Sequence, residues 1–214
     1  MNILALDLCS RKINLGLEIV DRGKYIFSEK SENNSDKLFF FISKFLKESD
    51  IEIEEIERVA VCTGPGNFNS IRASISAANG IKASLRLELI GLNKFEIFAC
   101  EDQVNLVSLR GSNNQIYSLI LNNKKPISKI NLSSIHEINI PKSLKNVSVL
   151  GHRAEEIATS LKLENFVEKD DTDIVDLLNA SLKVSSPENQ METTNVQRLD
   201  DRTSMCGDDT QCVD

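Results

Sequence analysis

A short segment in the first half of the chain sets the strongest constraint on the fold. Residues 58–63 form a compact, β-branched apolar run, which predicts a buried central strand. The Gly-Pro-Gly-Asn turn of residues 64–67 follows, and a long helix is predicted to begin near Asn69 or Ser70. Glycine permits close backbone approach, proline stiffens the turn, and the free amides at the helix start favour an anion. The segment therefore predicts a strand, turn and helix unit of an α/β protein.

The remaining apolar patterns predict the same order of elements twice along the chain. The predicted strands cover residues 2–8, 13–19, 25–27, 104–109, 115–121, 126–132 and 147–150. The other predicted helices cover residues 35–49, 153–163 and 173–184. We therefore expect two lobes of one plan, at residues 1–100 and 101–184, the second abbreviated. Residues 185–214 are polar and acidic, so we expect a disordered or loosely attached tail.

Composition and charge narrow the classes of function. The chain has 214 residues, 41% of them hydrophobic, and its net charge of −7 argues against a broad nucleic-acid-binding surface. No apolar run approaches the roughly 20 residues of a membrane span, and no basic segment precedes the first run. We therefore expect no membrane association, no signal peptide and a cytoplasmic location.

The cysteines predict reduced thiols rather than a metal site. The five of them show no C-x-x-C spacing, and Cys62 lies in an apolar strand, where cysteine is usually a small core residue. Cys206 and Cys212 lie in the tail, where a lone pair is a weak indication of a metal ligand set. We therefore expect this chain to bind no metal.

The strand, turn and helix segment resembles the signature of the TsaB family, also called YeaZ. The matching residues are Gly64, Pro65, Gly66, Phe68, Arg72, Ala78 and Gly80. Asp7, near the end of the first predicted strand, is similar to the aspartate of the family's first strand. The sequence departs from the family pattern at Cys9, Asn67, Asn69 and Ser70. These departures bear on ligand binding by the loop more than on the fold.

The resemblance implies a fold and a role. The fold would be that of the actin-like ATPases, with two ribonuclease H-like lobes of mixed sheet and helices. The role would be that of a non-catalytic scaffold in the bacterial complex that forms N6-threonylcarbamoyladenosine in transfer RNA. The catalytic subunit TsaD would carry the ATP and the metal, and the TsaE ATPase would be a further partner. Transfer RNA would bind only within the complex, and the chain alone would be free to form a homodimer.

By the same resemblance, the helices at residues 35–49 and 70–86 would bind TsaD. The candidate interface positions are Leu38, Phe41, Ile42, Phe45, Ile71, Ile75 and Ala78. Phe39 and Phe40 fall outside the apolar stripe of the first helix. They either pack against a second layer or belong to a partner surface.

Two other interpretations compete with the scaffold. In an ATP-dependent small-molecule kinase of the same fold class, Asp7 would bind magnesium and phosphate. The loop after Asp7 reads Leu-Cys-Ser-Arg and lacks the glycine that lets amides surround a phosphate. In the third interpretation, the glycine turn only shapes a connection in a protein of unrelated function. Hydrolase and zinc-peptidase chemistry lack their motifs, because there is no Gly-x-Ser-x-Gly and the only histidines, His136 and His152, are far apart.

Arg72 is predicted to lie in the first turn of the motif helix. The helix dipole disfavours a cation there. We therefore expect a carboxylate partner for Arg72, either within the chain, where Asp7 is one candidate, or on TsaD.

Overall fold

The structure is a computed structural model that describes residues 1–10, 12–30 and 34–184. The predicted tail at residues 185–214, with Cys206 and Cys212, lies outside the described residues.

The first sheet has five strands, and most of its residues are buried. The strands are β1 (Ile3–Asp7), β2 (Lys12–Ile19), β3 (Gly23–Lys30), β4 (Arg58–Cys62) and β5 (Glu88–Leu92). Their order is β3-β2-β1-β4-β5, with β1 antiparallel to β2 and parallel to β4. The predicted strands at residues 2–8, 13–19 and 25–27 and the buried central strand are thus confirmed. The sequence analysis predicted no strand at β5, which pairs in parallel with β4.

The second sheet repeats this plan with shorter edge strands. Its strands are β6 (Val104–Arg110), β7 (Ile116–Asn122), β8 (Lys125–Pro126), β9 (Asn131–Ser133), β10 (Val147–Gly151) and β11 (Phe166–Glu168). Their order is β11-β10-β6-β7-β8, and β9 also pairs with β7. The prediction of one strand over residues 126–132 is wrong. β8 and β9 each pair with β7, and between them the hydroxyl of Ser128 accepts a hydrogen bond from the amide of Ile120 on β7 (3.0 Å) in place of a strand carbonyl.

In the described part of the chain, five α-helices cover the two sheets. They are α1 (Asn34–Glu48), α2 (Phe68–Leu85), α3 (Lys94–Phe98), α4 (Ala154–Leu161) and α5 (Ile174–Lys183). α1 and α2 contact each other and pack on one face of the first sheet, where Leu4 and Leu6 alternate with the residues of the other face. α4 packs on the second sheet.

The last helix returns to the first sheet rather than covering the second. Ile174, Leu177 and Leu178 of α5 pack with Ile3 and Ala5, on the face opposite α1 and α2. Close approach requires a glycine in β2, because a Cβ at Gly16 would lie 2.9 Å from both Ile174 and Leu178. Residues 1–100 alone would therefore lack the helix that covers one face of their own sheet.

The motif turn, residues 64–67, joins β4 to α2. Gly64 adopts a positive φ of 101° and its peptide bond to Pro65 is cis. The amide of Asn67 donates to the carbonyl oxygen of Cys9 (3.0 Å), which fixes the turn against the loop after β1. The side chain of Asn67 accepts the amide of Ser70 (3.1 Å). Because Asn67 is the cap, α2 begins at Phe68, slightly earlier than predicted.

The packing of α5 generates a stability prediction. Leu177→Ala removes a fully buried side chain and should lower the free energy of unfolding by about 2–5 kcal/mol. Leu182→Ala, at a position 45% exposed on the same helix, should change it by less than about 0.5 kcal/mol. Urea unfolding followed by circular dichroism measures both, and equal effects would mean that α5 does not pack as described.

The motif turn generates a second prediction from a pair of glycines. A Cβ at Gly66 would lie 2.3 Å from the carbonyl oxygen of Cys9, so Gly66→Ala should cost about 1–3 kcal/mol of stability. Gly80, inside α2, has no heavy atom within 4 Å of a built Cβ, so Gly80→Ala should be neutral or stabilising by up to about 1 kcal/mol. Thermal and urea unfolding of the two variants check the difference in sign.

Candidate functional site

The candidate site is centred on Asp7, where β1 ends beside β4. Its carboxylate is 1% exposed, and both oxygens accept hydrogen bonds from the chain itself. Oδ1 accepts the amide of Cys9 (2.9 Å), and Oδ2 accepts the hydroxyl of Thr172 (2.8 Å). Thr172 lies just before α5, so the return of that helix brings it to the edge of the first sheet.

Two buried thiols lie next to this carboxylate. The Sγ atoms of Cys9 and Cys62 are 3.3 Å apart, and each thiol lies within 4.8 Å of a carboxylate oxygen of Asp7. The hydrogen bond to Cys62, followed by burial, raises the pKa of the Cys9 thiol well above its usual value. Cys62 is buried, as the sequence predicts.

A buried lysine supplies the positive charge of the site. Lys94 begins α3, and its backbone amide donates to the carbonyl oxygen of Gly64 in the motif turn (2.7 Å). Its Nζ lies 2.5 Å from Oδ1 of Asp171. Burial, the largest influence, lowers the pKa of Lys94, but electrostatic interactions with Asp7, Cys9, Cys62 and Asp171 outweigh it and raise the pKa. Lys94 is therefore an ammonium ion that compensates the buried carboxylate.

Sequence reasoning identified Asp7 and the motif turn but missed Lys94, Asp171 and Thr172. Asp171 and Thr172 reach the site only because α5 packs on the first sheet, and no local pattern predicts that contact. One feature of the sequence does indicate a carboxylate partner for Lys94. The residue lies in the first turn of a helix capped by Asn93, where the helix dipole disfavours a cation unless a carboxylate compensates it.

Arg72 does not pair with Asp7, so that expectation is corrected. Its guanidinium lies over the ring of Phe68, 5.1 Å from the ring centroid, on the exposed side of α2. Within residues 1–10, 12–30 and 34–184, no carboxylate forms an ion pair with Arg72. A cation–π contact with the side chain one turn earlier takes the place of the expected carboxylate.

Most of the predicted interface positions lie in the core of the chain. Leu38, Ile42, Phe45, Ile71 and Ala78 are buried against the chain's own strands and helices, so their side chains are not available to a partner. Phe41 and Ile75 are half-buried and pack against the same cores. The apolar stripe of α1 thus holds the helix on the sheet.

The exposed aromatic residues of α1 are the two that fall outside the stripe. Phe39 is 60% exposed and Phe40 is 64% exposed. The ring of Phe40 lies 5.4 Å from that of Phe41, whose ring lies 5.3 Å from that of Phe27 on β3. These rings form a continuous aromatic path from the surface to the core.

A second cluster lies at the corresponding edge of the second sheet. Nδ1 of His152 lies 2.6 Å from Oδ1 of Asp170. The two carboxylate oxygens of Glu168 accept hydrogen bonds from backbone amides at the start of α4, one from Arg153 (2.7 Å) and one from Glu155 (3.1 Å). Glu168 is thus occupied in capping α4, and His152 and Asp170 are paired with each other. His136, the other histidine, is exposed in a 3-10 turn.

No helix within the described part of the chain is long and apolar enough to cross a membrane.

Comparison with known proteins gives consistent matches. The family model described as TsaD, tRNA N6-adenosine threonylcarbamoyltransferase, matches residues 28–127. The protein named tRNA threonylcarbamoyladenosine biosynthesis protein TsaB from Buchnera aphidicola subsp. Baizongia pistaciae is 31% identical over 98 residues, which are 45% of this chain and 44% of the relative. The protein of the same name from Buchnera aphidicola subsp. Acyrthosiphon pisum is also 31% identical over 98 residues, covering 44% and 41%. The matched part therefore spans less than half the length of either relative.

Among solved structures, YeaZ from Pseudomonas aeruginosa matches with a TM-score of 0.64 at 14% identity, covering 85% of this chain and 91% of that one. The match and the two mixed sheets with their helices establish the actin-like ATPase fold. The named relatives, the structural match and the motif turn agree with one another. Over these matched residues, the chain is similar to proteins named TsaB and, in its fold, to YeaZ.

Proposed function

We propose that this chain is a non-catalytic subunit in the formation of N6-threonylcarbamoyladenosine in transfer RNA, acting in the cytoplasm by binding a catalytic subunit of the TsaD type. The names of its relatives support the pathway. The observation that carries the non-catalytic role is the state of Asp7. Its carboxylate is buried, hydrogen-bonded through both oxygens and compensated by Lys94.

This arrangement is poorly suited to magnesium and nucleotide. Mg²⁺ prefers six oxygen ligands and keeps several of its waters, whereas Asp7 is 1% exposed and has the thiols of Cys9 and Cys62 as neighbours. A kinase also needs cationic or amide groups around the phosphates. The open groove of about 350 Å³ beside the site presents Asp171 and Asp173 instead. Lys169, the groove's lysine, is paired with Asp176.

The helical face of the first sheet supports the binding role. Phe39 and Phe40 are neighbouring large apolar side chains on one helix, and aromatic residues of this kind supply much of the binding energy in protein interfaces. The TsaD family model matches residues 28–127, which include α1 and α2. A TsaD subunit would therefore carry corresponding helices, and so would a second copy of this chain. In this proposal the partner grips the transfer RNA, because the net charge here is −7, and TsaE joins the same complex.

The partner surface is tested by exposed phenylalanines. Phe39→Asp and Phe40→Asp should each weaken binding to the TsaD of the same genome about thirtyfold, because an interface hot spot contributes ~2 kcal/mol. The threonylcarbamoyladenosine formed by the mixture should fall in parallel. Calorimetric titration and a modification assay measure the two quantities.

A matched control separates this surface from general effects of removing an exposed aromatic. Phe166→Asp changes a phenylalanine that is 43% exposed on β11 of the second sheet, and it should leave binding unchanged. If Phe166→Asp weakens binding as much as Phe40→Asp does, the assignment to α1 is wrong. If the chain forms only a homodimer and does not stimulate TsaD, the proposed function is wrong.

The kinase alternative makes a different prediction for the isolated chain. We expect no binding of ATP with Mg²⁺ at millimolar concentrations and no ATP turnover, since Asp7 is closed by Cys9 and Thr172. Calorimetry and a phosphate-release assay check this, with the partner TsaD as the positive control. Turnover by this chain that Asp7→Asn abolishes would favour the kinase.

A further inference from the structure

Asp7, Cys9 and Cys62 bring three metal-ligating side chains together in the interior of the chain. One oxygen and two sulfur atoms lie within 4.8 Å of one another, and all three residues are buried. They come from adjacent structural positions, because β1 and β4 are parallel neighbours that end at the same edge of the sheet. Neither the partner surface nor the motif turn requires this chemistry.

The distances between the ligand atoms are close to those of a tetrahedral zinc site. A tetrahedral Zn²⁺ with Zn–S bonds near 2.3 Å separates two sulfurs by about 3.8 Å. The sulfurs of Cys9 and Cys62 are 3.3 Å apart, so a small rotation of their side chains about the Cα–Cβ bond provides the difference. The carboxylate is already oriented by hydrogen bonds from Cys9 and Thr172, which act as outer partners of a ligand.

The charges of the surrounding groups also fit a divalent cation. The carboxylate and two thiolates carry three negative charges, and the cation together with the Lys94 ammonium carries three positive charges. Balance of this kind is needed because burying an uncompensated charge is costly. Asp171, the other partner of Lys94, has a side chain that is 40% exposed, so solvent contributes to its compensation.

We propose that Asp7, Cys9 and Cys62 form a binding site for a thiophilic divalent cation of the Zn²⁺ type, with these three side chains as its protein ligands. Both thiols lose their protons when the cation binds, and a water molecule completes the coordination. Soft thiolate ligands select Zn²⁺ over Mg²⁺, so the site is distinct from a magnesium-nucleotide site. The proposal is independent of partner binding and goes beyond the function proposed above.

Cobalt provides a direct test, because Co²⁺ bound to thiolates gives a sulfur-to-metal charge-transfer band and strong visible bands. The full chain is prepared with Cys100→Ser, Cys206→Ser and Cys212→Ser, so that Cys9 and Cys62 are its only thiols. We expect one Co²⁺ per chain and a band intensity that corresponds to two thiolates. Zn²⁺ should abolish the bands, and Mg²⁺ should not. Absence of the charge-transfer band in this chain would overturn the proposal. This result could not be attributed to a disrupted core, because Cys9 and Cys62 are unchanged.

Substitutions within the cluster identify the ligands. Cys9→Ser and Cys62→Ser, made separately in the same background, should each halve the band intensity. Each should also weaken Co²⁺ binding by more than about tenfold, which is the effect of losing a residue that only hydrogen-bonds to a ligand. Asp7→Asn should weaken binding and leave the two-thiolate band intact at saturation. Undiminished binding after both cysteine substitutions would mean that the cation binds elsewhere and would overturn the assignment.

Thermal unfolding provides a readout without cobalt. Zn²⁺ should raise the melting temperature of the three-serine chain, because a ligand that binds only the folded state stabilises it. It should raise that of the version that also carries Cys62→Ser by a smaller amount, because that version binds the cation more weakly. Equal shifts in the two proteins would contradict the proposal.

Discussion

The return of α5 to the first sheet is the contact on which the rest of the structure depends. Ile174 and Leu178 of α5 pack against Gly16, and the buried guanidinium of Arg58 on β4 donates to the carbonyl oxygen of Ser181. This guanidinium also pairs with Glu88 on β5 (2.6 Å). Breaking a buried pair by removing one partner is strongly destabilising. Because α5 follows the second sheet in the chain, the chain passes from the first sheet to the second and then back to the first.

That return also determines the chemistry of the first sheet's edge. It brings the hydroxyl of Thr172 within hydrogen-bond distance of Asp7, and it pairs Asp171 with Lys94. Residues near the end of the described chain therefore complete a site that begins at residue 7. A carboxylate that binds magnesium needs access to the metal and to its bound waters. Here the carboxylate receives a hydroxyl, an amide and the compensating charge of an ammonium ion. The fold thus places a buried carboxylate beside two buried thiols at this edge of the sheet.

The sequence was sufficient to predict the parts of the fold that rest on local periodicity. The apolar run of β1 predicts a strand, and the structure buries all five of its residues. The alternation in β2 and the three- and four-residue spacing in α1 reflect which face is buried, and the structure confirms both. The same spacing could not distinguish a helix face buried in the chain's own core from one that binds a partner, because both require a stripe of apolar residues. Leu38 and Ile42 belong to the core, and the proposed partner surface consists of the exposed residues Phe39 and Phe40, which lie outside the stripe.

The site was less predictable than the fold, because its second half depends on long-range contacts. Asp7 and Gly66 could be identified from strand ends and a glycine turn. Lys94 and Thr172 could not, since Lys94 follows an unpredicted strand and Thr172 lies 165 positions from the carboxylate it binds. Ser128 illustrates the same limit in the second sheet, where one hydroxyl replaces a ladder hydrogen bond in a run that otherwise has strand composition.

The edge site and the helical face are connected through the motif turn. The carbonyl oxygen of Cys9 accepts the amide of Asn67, and Asn67 caps α2. α2 packs against α1, which carries Phe39 and Phe40. The contacts that hold Cys9 in place therefore also position the first turn of α2. Because α2 packs against α1, they influence the position of the helix that carries the exposed phenylalanines. In the proposed function, this site has a physical role that needs no magnesium chemistry, because its contacts position the helices that would meet a partner.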